Sequence, residues 1–273
     1  MQAAEPQGYI AVMLVRNEGA FPYGYSGITE VGGRYSETLM DFGILRLRAG
    51  ESYTSSGGRE RALLLLSGTL DITWDGRTAR ASRGSFFDEA PWCLSLAAGS
   101  DAVLTAVGGD AEISFHATEN PRSFPTRLYT PEECRSEERG KGTMRETSTR
   151  IVRTIMEDPR AAWSNLVLGE VITYPGKWSS YPPHHHPQPE IYHYRFLPPG
   201  GFGLTAIGDE GLILHDRDTV VIPAGAVHPH TAAPGYAMFY IWAIRHLDGN
   251  RYGTPTFVPE HTWVTDPKAT IWP

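Results

Sequence analysis

The sequence predicts an all-β protein built as two similar β-domains in tandem. Short runs rich in Val, Ile, Leu, Tyr and Phe recur along its 273 residues, as in FGILRLRAG, RALLLLSGTLDITW, NLVLGEVITYPG and MFYIWAIRH. Several alternate with period two, Ile44, Arg46 and Arg48 opposing Leu45 and Leu47, which is the signature of a strand with two different faces. The 29 glycines and 21 prolines stand between these runs as punctuation, so the chain reads as many turns joining short strands, a sandwich or jelly roll.

The tandem arrangement rests on an internal echo. FGILRLRAGESYTSSGGRERALLLLSGTLDIT resembles LVLGEVITYPGKWSSYPPHHHPQPEIYHYRF: each has a strand, a Gly-containing turn (Gly50, Gly176), a Ser-rich stretch and another strand. The expected organisation is a first domain over 1–125, a linker over 126–150 that holds the charged stretch EECRSEERGKGTMRE, and a second domain over 151–273. One helix is expected, in the linker. Thr130-Pro131-Glu132-Glu133 forms a capping box with Pro at the first helical position, and Gly140 closes a segment of about two turns.

Composition removes several function classes. A net charge of −7 argues against nucleic acid, because phosphate binding wants a basic surface. An anionic metabolite would need a local Arg, Lys or metal. Cys93 and Cys134 are too few for a disulfide framework. Met1 to Pro6 carry no positive charge, GYIAVMLV is short, and no apolar run reaches the roughly 18 residues of a membrane span. The expectation is a cytoplasmic chain with reduced thiols and no membrane partner.

The histidines break the echo. Only His116 lies before residue 137, whereas seven of the ten lie between 184 and 230. Where the second half has His184-His185-His186, the first has Ser and Gly, so an imidazole site belongs to the second half and the first should bind no metal. On a strand His184 and His186 share one face and His185 takes the other. Glu190 is evenly spaced from His186, and in IPAGAVHPH a Pro223–Gly225 turn delivers His228 from another strand. Two His, one carboxylate and a further His make a mixed N/O set for a borderline divalent ion such as Zn, Mn, Fe, Ni or Co. Tyr174, Tyr192 and Tyr240 read as core or cavity wall. Arg195 and Arg245 stand in strand-like runs, and an inward arginine there would need an anion, such as a substrate carboxylate.

These residues carry a resemblance. H-x-H-x3-E followed by P-x-G-x2-H resembles the two motifs of the cupin superfamily. GEVITYPGKWSSYPPHHH, GFGL and HDRDTVVIPAGAVHPHTAAPGYAMFYIW resemble the bicupin isomerases of inositol catabolism, the 5-deoxy-glucuronate isomerases, over roughly 140–245, with a looser likeness in the first half. The 4-deoxy-L-threo-5-hexosulose-uronate isomerases of pectin breakdown are a poorer match. Two departures stand out: only Pro187-Gln188-Pro189 separates H-x-H from Glu190, and His193 stands where the family usually has Tyr.

The resemblance implies a bicupin, two tandem jelly-roll barrels, with one divalent metal, Zn or Mn, in the second. It implies an aldose–ketose isomerase interconverting 5-deoxy-D-glucuronate and 5-dehydro-2-deoxy-D-gluconate. The partner is then a small uronate or sugar acid, with further copies of the chain in a homo-oligomer as an option. The expected ligands are His184, His186, Glu190 and His228. The base candidates are His193, Glu190 if it is not a ligand, or a cavity tyrosine such as Tyr174. Arg195, Arg245 and Tyr192 are the expected substrate contacts. The rival readings are another metal-cupin enzyme such as a dioxygenase, and a non-enzymatic sugar-binding cupin.

Overall fold

The computed structural model describes residues 13–272; Met1 to Pro6, used above for the absence of a leader signal, lie outside the described residues. Strands dominate. The first half contributes β1 (Met13–Val15), β2 (Gly24–Thr29), β3 (Asp41–Leu47), β4 (Ser52–Ser55), β5 (Glu60–Trp74), β6 (Arg77–Arg83), β7 (Cys93–Leu96), β8 (Ala102–Ala106), β9 (Ala111–Thr118) and β10 (Arg127–Tyr129). The second contributes β11 (Arg135–Arg139), β12 (Arg150–Met156), β13 (Leu166–Thr173), β14 (Trp178–Ser179), β15 (His184–His185), β16 (Glu190–Leu197), β17 (Phe202–Ile207), β18 (Glu210–His215), β19 (Thr219–Ile222), β20 (His230–Ala232), β21 (Ala237–Arg245) and β22 (Thr256–Phe257).

Each half curls into an antiparallel double-sheet barrel. In the second, a seven-stranded sheet in the order β1-β19-β16-β21-β13-β12-β11 faces a four-stranded sheet, β14-β20-β17-β18. The first half forms one nine-stranded sheet with the spine β10-β7-β5-β9-β3-β2, and β4, β6 and β8 fold over from it. β1 belongs to the second barrel, where Leu14 pairs with Val220 on the edge strand β19. That pairing covers a strand edge that would otherwise be open.

Period-two alternation sorts the core into three parts, one of them, with Val152, Val171, Val220, Ile222 and Met238, inside the second barrel. Leu45, Leu63, Leu65, Ile72 and Ile113 fill the first barrel with apolar side chains. Phe42, Ile44, Leu64 and Leu66, from the opposite face of the same strands, pack against Leu168, Ile172, Ile191, Phe239 and Ile241 of the second half. The two large sheets thus meet back to back over a shared apolar core. Buried charges cross this junction. Glu170 accepts bonds from Arg83 of the first half and, at 2.8 Å, from Arg153, whose Nη1 also donates to the carbonyls of Phe86 and Glu89.

The linker differs from expectation. The capping box is present, but Pro131–Glu133 makes a single 3₁₀ turn rather than a two-turn helix. The residues that follow become β11 and pair with β12, from Arg135 opposite Thr154 to Arg139 opposite Arg150. A ladder of long-range strand hydrogen bonds outweighs a local helix signal this short. Because β10 pairs with β7 of the first sheet, we propose that the boundary between the units falls in the turn between β10 and β11. A longer 3₁₀ segment, Pro259–Thr265, was not among the expected elements.

Candidate metal centre

The inward face of the second barrel carries Glu190, Tyr192 and Tyr194 on β16, and Tyr240 and Trp242 on β21. Tyr192 lies opposite Trp242 and Tyr194 opposite Tyr240, so each pair shares a face. His184 lies on β15 opposite Phe257, and His186 follows directly. The Pro223–Gly225 turn brings in His228. Gly225 takes a φ of +78°, where a side chain would be strained, and its N–H donates to the His186 carbonyl at 2.8 Å. The two histidine motifs are thereby tied together by the backbone.

His186, Glu190 and His228 are buried and offer ligand atoms within 4.8 Å of one another. His186 Nε2 lies 3.2 Å and His228 Nε2 3.3 Å from the same oxygen, Glu190 Oε2. The His184 ring stands 4.9 Å from the His228 ring, centroid to centroid, at the cavity edge of the trio. The other ring nitrogen of each histidine is spoken for. Nδ1 of His184, His186 and His228 faces the carbonyl oxygen of Pro182 (3.2 Å), Gln188 (2.9 Å) and Ala226 (2.8 Å) respectively. A carbonyl only accepts, so Nδ1 carries the proton and each neutral ring turns the lone pair of Nε2 toward the site.

That arrangement fits a cation. Burial raises the Glu190 carboxyl, and only a donor or positive charge on its His186 and His228 side can lower it again; with both Nε2 lone pairs turned that way, a cation is what would keep the group ionised. Imidazole lone pairs beside a carboxylate repel unless a positive charge lies between them. Among the described residues His228 Nε2, a buried nitrogen, has no hydrogen-bond partner, which suits a ligand nitrogen. Backbone carbonyls that fix the tautomer of ligating histidines are the usual support of such sites. Burial lowers the His184 pKa to about 4, which keeps that ring neutral and able to coordinate. Of the three consecutive histidines, His186 joins the cluster and His184 lines the adjoining cavity, whereas His185 does neither.

Through Glu190, with His184 beside it, the trio adjoins a cavity of ≈ 470 Å³ whose walls include Arg150, Val152, Thr154, Glu157, Ser180, Tyr192, Tyr240 and Tyr252. Ser180 Oγ bridges Tyr192 Oη (3.1 Å) and His230 Nε2 (3.4 Å), while His230 Nδ1 meets Tyr194 Oη at 2.9 Å. Burial pushes the Tyr192 hydroxyl far above its ordinary value and that of Tyr240 to about 12, so both stay protonated donors. The segment after β21 closes one side. The Tyr252 ring lies 5.0 Å from that of His186, and its N–H donates to His246 Nδ1 at 2.8 Å. Gln188 reaches the same segment, donating to the Asn250 carbonyl at 2.7 Å.

Four expected site residues lie elsewhere. His193, three residues beyond Glu190, takes the outer face of β16, where its ring lies between Phe21 and Phe42 at the junction of the halves. Arg195 shares that face and pairs with Glu112 of the first half (2.7 Å) and Asp216 (3.1 Å). Arg245 has the parity of Ile241 and Ala243, which also face the first half, and it pairs with Asp248 at 3.2 Å. Tyr174 follows β13 and bonds Glu138 at 3.0 Å on the surface. These are corrections of placement, each following from strand parity or from the end of a strand. Arg150, Glu157 and Tyr252 were not singled out in the sequence; Arg150 alone had a signal, its alternation with Val152 and Thr154.

Two barrels back to back, one filled with apolar side chains and one holding a His/Glu cluster, define a bicupin with a candidate metal centre. The chain belongs to the KduI/IolB family, whose model matches residues 13–264. The 5-deoxy-glucuronate isomerase of Bacillus subtilis strain 168 is 27% identical over 222 residues, covering 75% of this chain and 80% of that one. The enzyme of the same name from Lacticaseibacillus casei is 29% identical over 255 residues, covering 82% and 86%. Among solved structures, an IolB-like protein of Salmonella typhimurium LT2 superposes with a TM-score of 0.78 at 27% identity, covering 92% of this chain and 98% of that one. Lactobacillus farciminis oxalate decarboxylase (TM-score 0.66, 11% identity) shares the fold. Among the described residues no helix is long and apolar enough to cross a membrane.

Proposed function

We propose that the chain is a metal-dependent aldose–ketose isomerase acting on 5-deoxy-D-glucuronate and forming 5-dehydro-2-deoxy-D-gluconate. The observation that carries the reading is the convergence of His186 and His228 Nε2 on one Glu190 oxygen, in a chain whose relatives bear that enzyme's name. His184, His186, Glu190 and His228 would hold the ion, and the three-nitrogen, one-oxygen set suits Zn²⁺ or Mn²⁺.

The reaction must remove a proton from the carbon beside a carbonyl and return one to the neighbouring carbon. When bound, the ion would supply Lewis acidity to the substrate's carbonyl and adjacent hydroxyl, making that proton acidic. The chain's own groups do the rest. Tyr192 and Tyr240, kept protonated by burial, are placed to donate to substrate oxygens. Tyr252 and Phe257 wall the cavity against water. With Glu190 committed to the ion, and His193 and Tyr174 facing elsewhere, we assign the proton transfer to Glu157, the other carboxylate of the cavity wall.

The test is turnover without oxygen. Metal-loaded protein should isomerise 5-deoxy-D-glucuronate anaerobically, chelation should stop it, and readdition of the ion should restore it. A strict need for oxygen would point to dioxygenase chemistry. Faster turnover of 4-deoxy-L-threo-5-hexosulose uronate would move the assignment to that substrate. Failure on both uronates would end the isomerase reading.

A further inference from the structure

We infer that Arg150 is the group that binds the substrate's carboxylate, by a side-on bidentate contact at the end of the cavity away from the His/Glu cluster. The inference rests on the isomerase reading of the same cavity and names the residue that selects an acid over a neutral sugar.

Three arginines line the cavity: Arg135, Arg139 and Arg150. The first two are already neutralised. Arg135 pairs with Glu137 (3.3 Å) and Glu157 (2.8 Å), and Arg139 with Glu137 (2.8 Å). Arg150 differs. It begins the inward row Arg150, Val152, Thr154 on β12, and among the described residues no carboxylate lies in ion-pair contact with it. Its Nη1 is held, donating to Ser148 at the carbonyl (2.7 Å) and at Oγ (2.8 Å). Among the described residues no acceptor meets its Nε or Nη2.

Those two atoms form the edge of a guanidinium whose N–H bonds run parallel, the edge that takes a carboxylate two-pronged. The same edge takes both oxygens of a carboxylate elsewhere in the chain. Arg80 binds Asp71 through Nε (2.8 Å) and Nη2 (2.9 Å), and Arg251 binds Asp158 through the same atoms (2.6 and 2.7 Å). In Arg150 the edge is open while the rest of the fork is anchored. Burial pushes its pKa below the ordinary arginine value, so the charge sits where an unpaired cation is costly and an incoming anion offsets that cost. Tyr192 and Tyr240 stand on the same cavity wall, and Tyr192 also reaches the His228 ring at 5.7 Å. A sugar acid whose carbonyl end meets the His/Glu cluster would lay its far carboxylate along this wall.

The test uses the metal-loaded protein, the uronate, and its carboxamide, which keeps the shape and loses the charge. Binding is read by calorimetry and turnover by kinetics, with metal content and melting temperature as controls. Arg150→Gln should weaken uronate binding and raise KM by about 100-fold, as expected for two charge-assisted hydrogen bonds, and leave the carboxamide unchanged. Arg150→Lys, which keeps the charge and loses the fork, should fall between, and it serves if the glutamine variant does not fold. Preference for acid over amide should therefore collapse, with metal content constant. If both variants keep the wild-type preference, the inference is overturned while the isomerase reading stands. If the wild type binds the uronate through Arg150 but does not turn it over, the isomerase reading fails and the carboxylate assignment holds.

Discussion

Glu190 and His193 lie three residues apart on one strand and point to opposite faces of it. Glu190 meets His186 and His228 inside the barrel, and His193 bonds Thr219 Oγ1 at 2.9 Å beneath Phe21 and Phe42. An odd spacing on a strand cannot place both side chains in one cavity. His193→Leu should therefore keep kcat within about twofold in the folded fraction, while lowering the melting temperature because the bond to Thr219 is lost. A large loss of kcat in protein that melts like the wild type would return His193 to the chemistry.

Glu170 is the anion between Arg83 and Arg153, and the side chains of Arg83 and Glu170 have no exposed surface. Glu170→Gln leaves two buried guanidinium groups without a countercharge. It should cost about 3–5 kcal/mol, read as a lowered urea midpoint. A change under about 0.5 kcal/mol, the range of ordinary surface substitutions, would mean that water reaches the triad.

Acid should weaken the fold through His116. Burial lowers its pKa to about 3, and its ring packs against Phe42 with Nε2 3.0 Å from Ser114 Oγ. The folded state keeps it neutral, while the unfolded chain binds a proton near pH 6.5. Its contribution is thus whole above about 6.5 and is lost progressively as pH falls toward 3, with a slope of up to about 1.4 kcal/mol per pH unit. Denaturant midpoints of chelated wild type and His116→Leu, measured between these limits, should diverge in slope by that single proton. Every other ionisable group is common to both proteins and cancels in the comparison. Parallel slopes would contradict the buried neutral ring.

Glu157→Gln tests the assigned base. It should lower kcat by about 100-fold or more and leave metal content unchanged. Because Glu157 also pairs with Arg135 at 2.8 Å, the melting temperature is the control for lost packing. Wild-type kcat in the variant would move the proton transfer to another group.

Much of this arrangement was legible in the residues. Alternation gave the strands, the Gly and Pro punctuation gave the turns, and the uneven distribution of histidine assigned the cluster to the second half. His186 and Glu190, evenly spaced in the sequence, do meet in the cluster, while His184 lines the cavity beside it. The same parity rule, carried past Glu190, would have removed His193 and Arg195, and counted back from Thr154 it would have raised Arg150. Other features had no local signal. The capping box at Thr130 is formed, yet the residues after it pair with a strand begun eleven positions beyond β11. Tyr252 reaches the site because His246 and Gln188 hold its segment there, and such long-range contacts leave no periodicity to read.

The central claim is a single metal centre built on Glu190 and the inward histidines. The most direct measurement is the metal content of purified wild type, His186→Ala and His185→Ala, determined by mass spectrometry with circular dichroism as the folding control. The account predicts one equivalent of a divalent ion in the wild type and in His185→Ala, and almost none in a folded His186→Ala. If His185→Ala loses the ion and His186→Ala keeps it, or if both keep it, the centre described here is not where this protein binds metal.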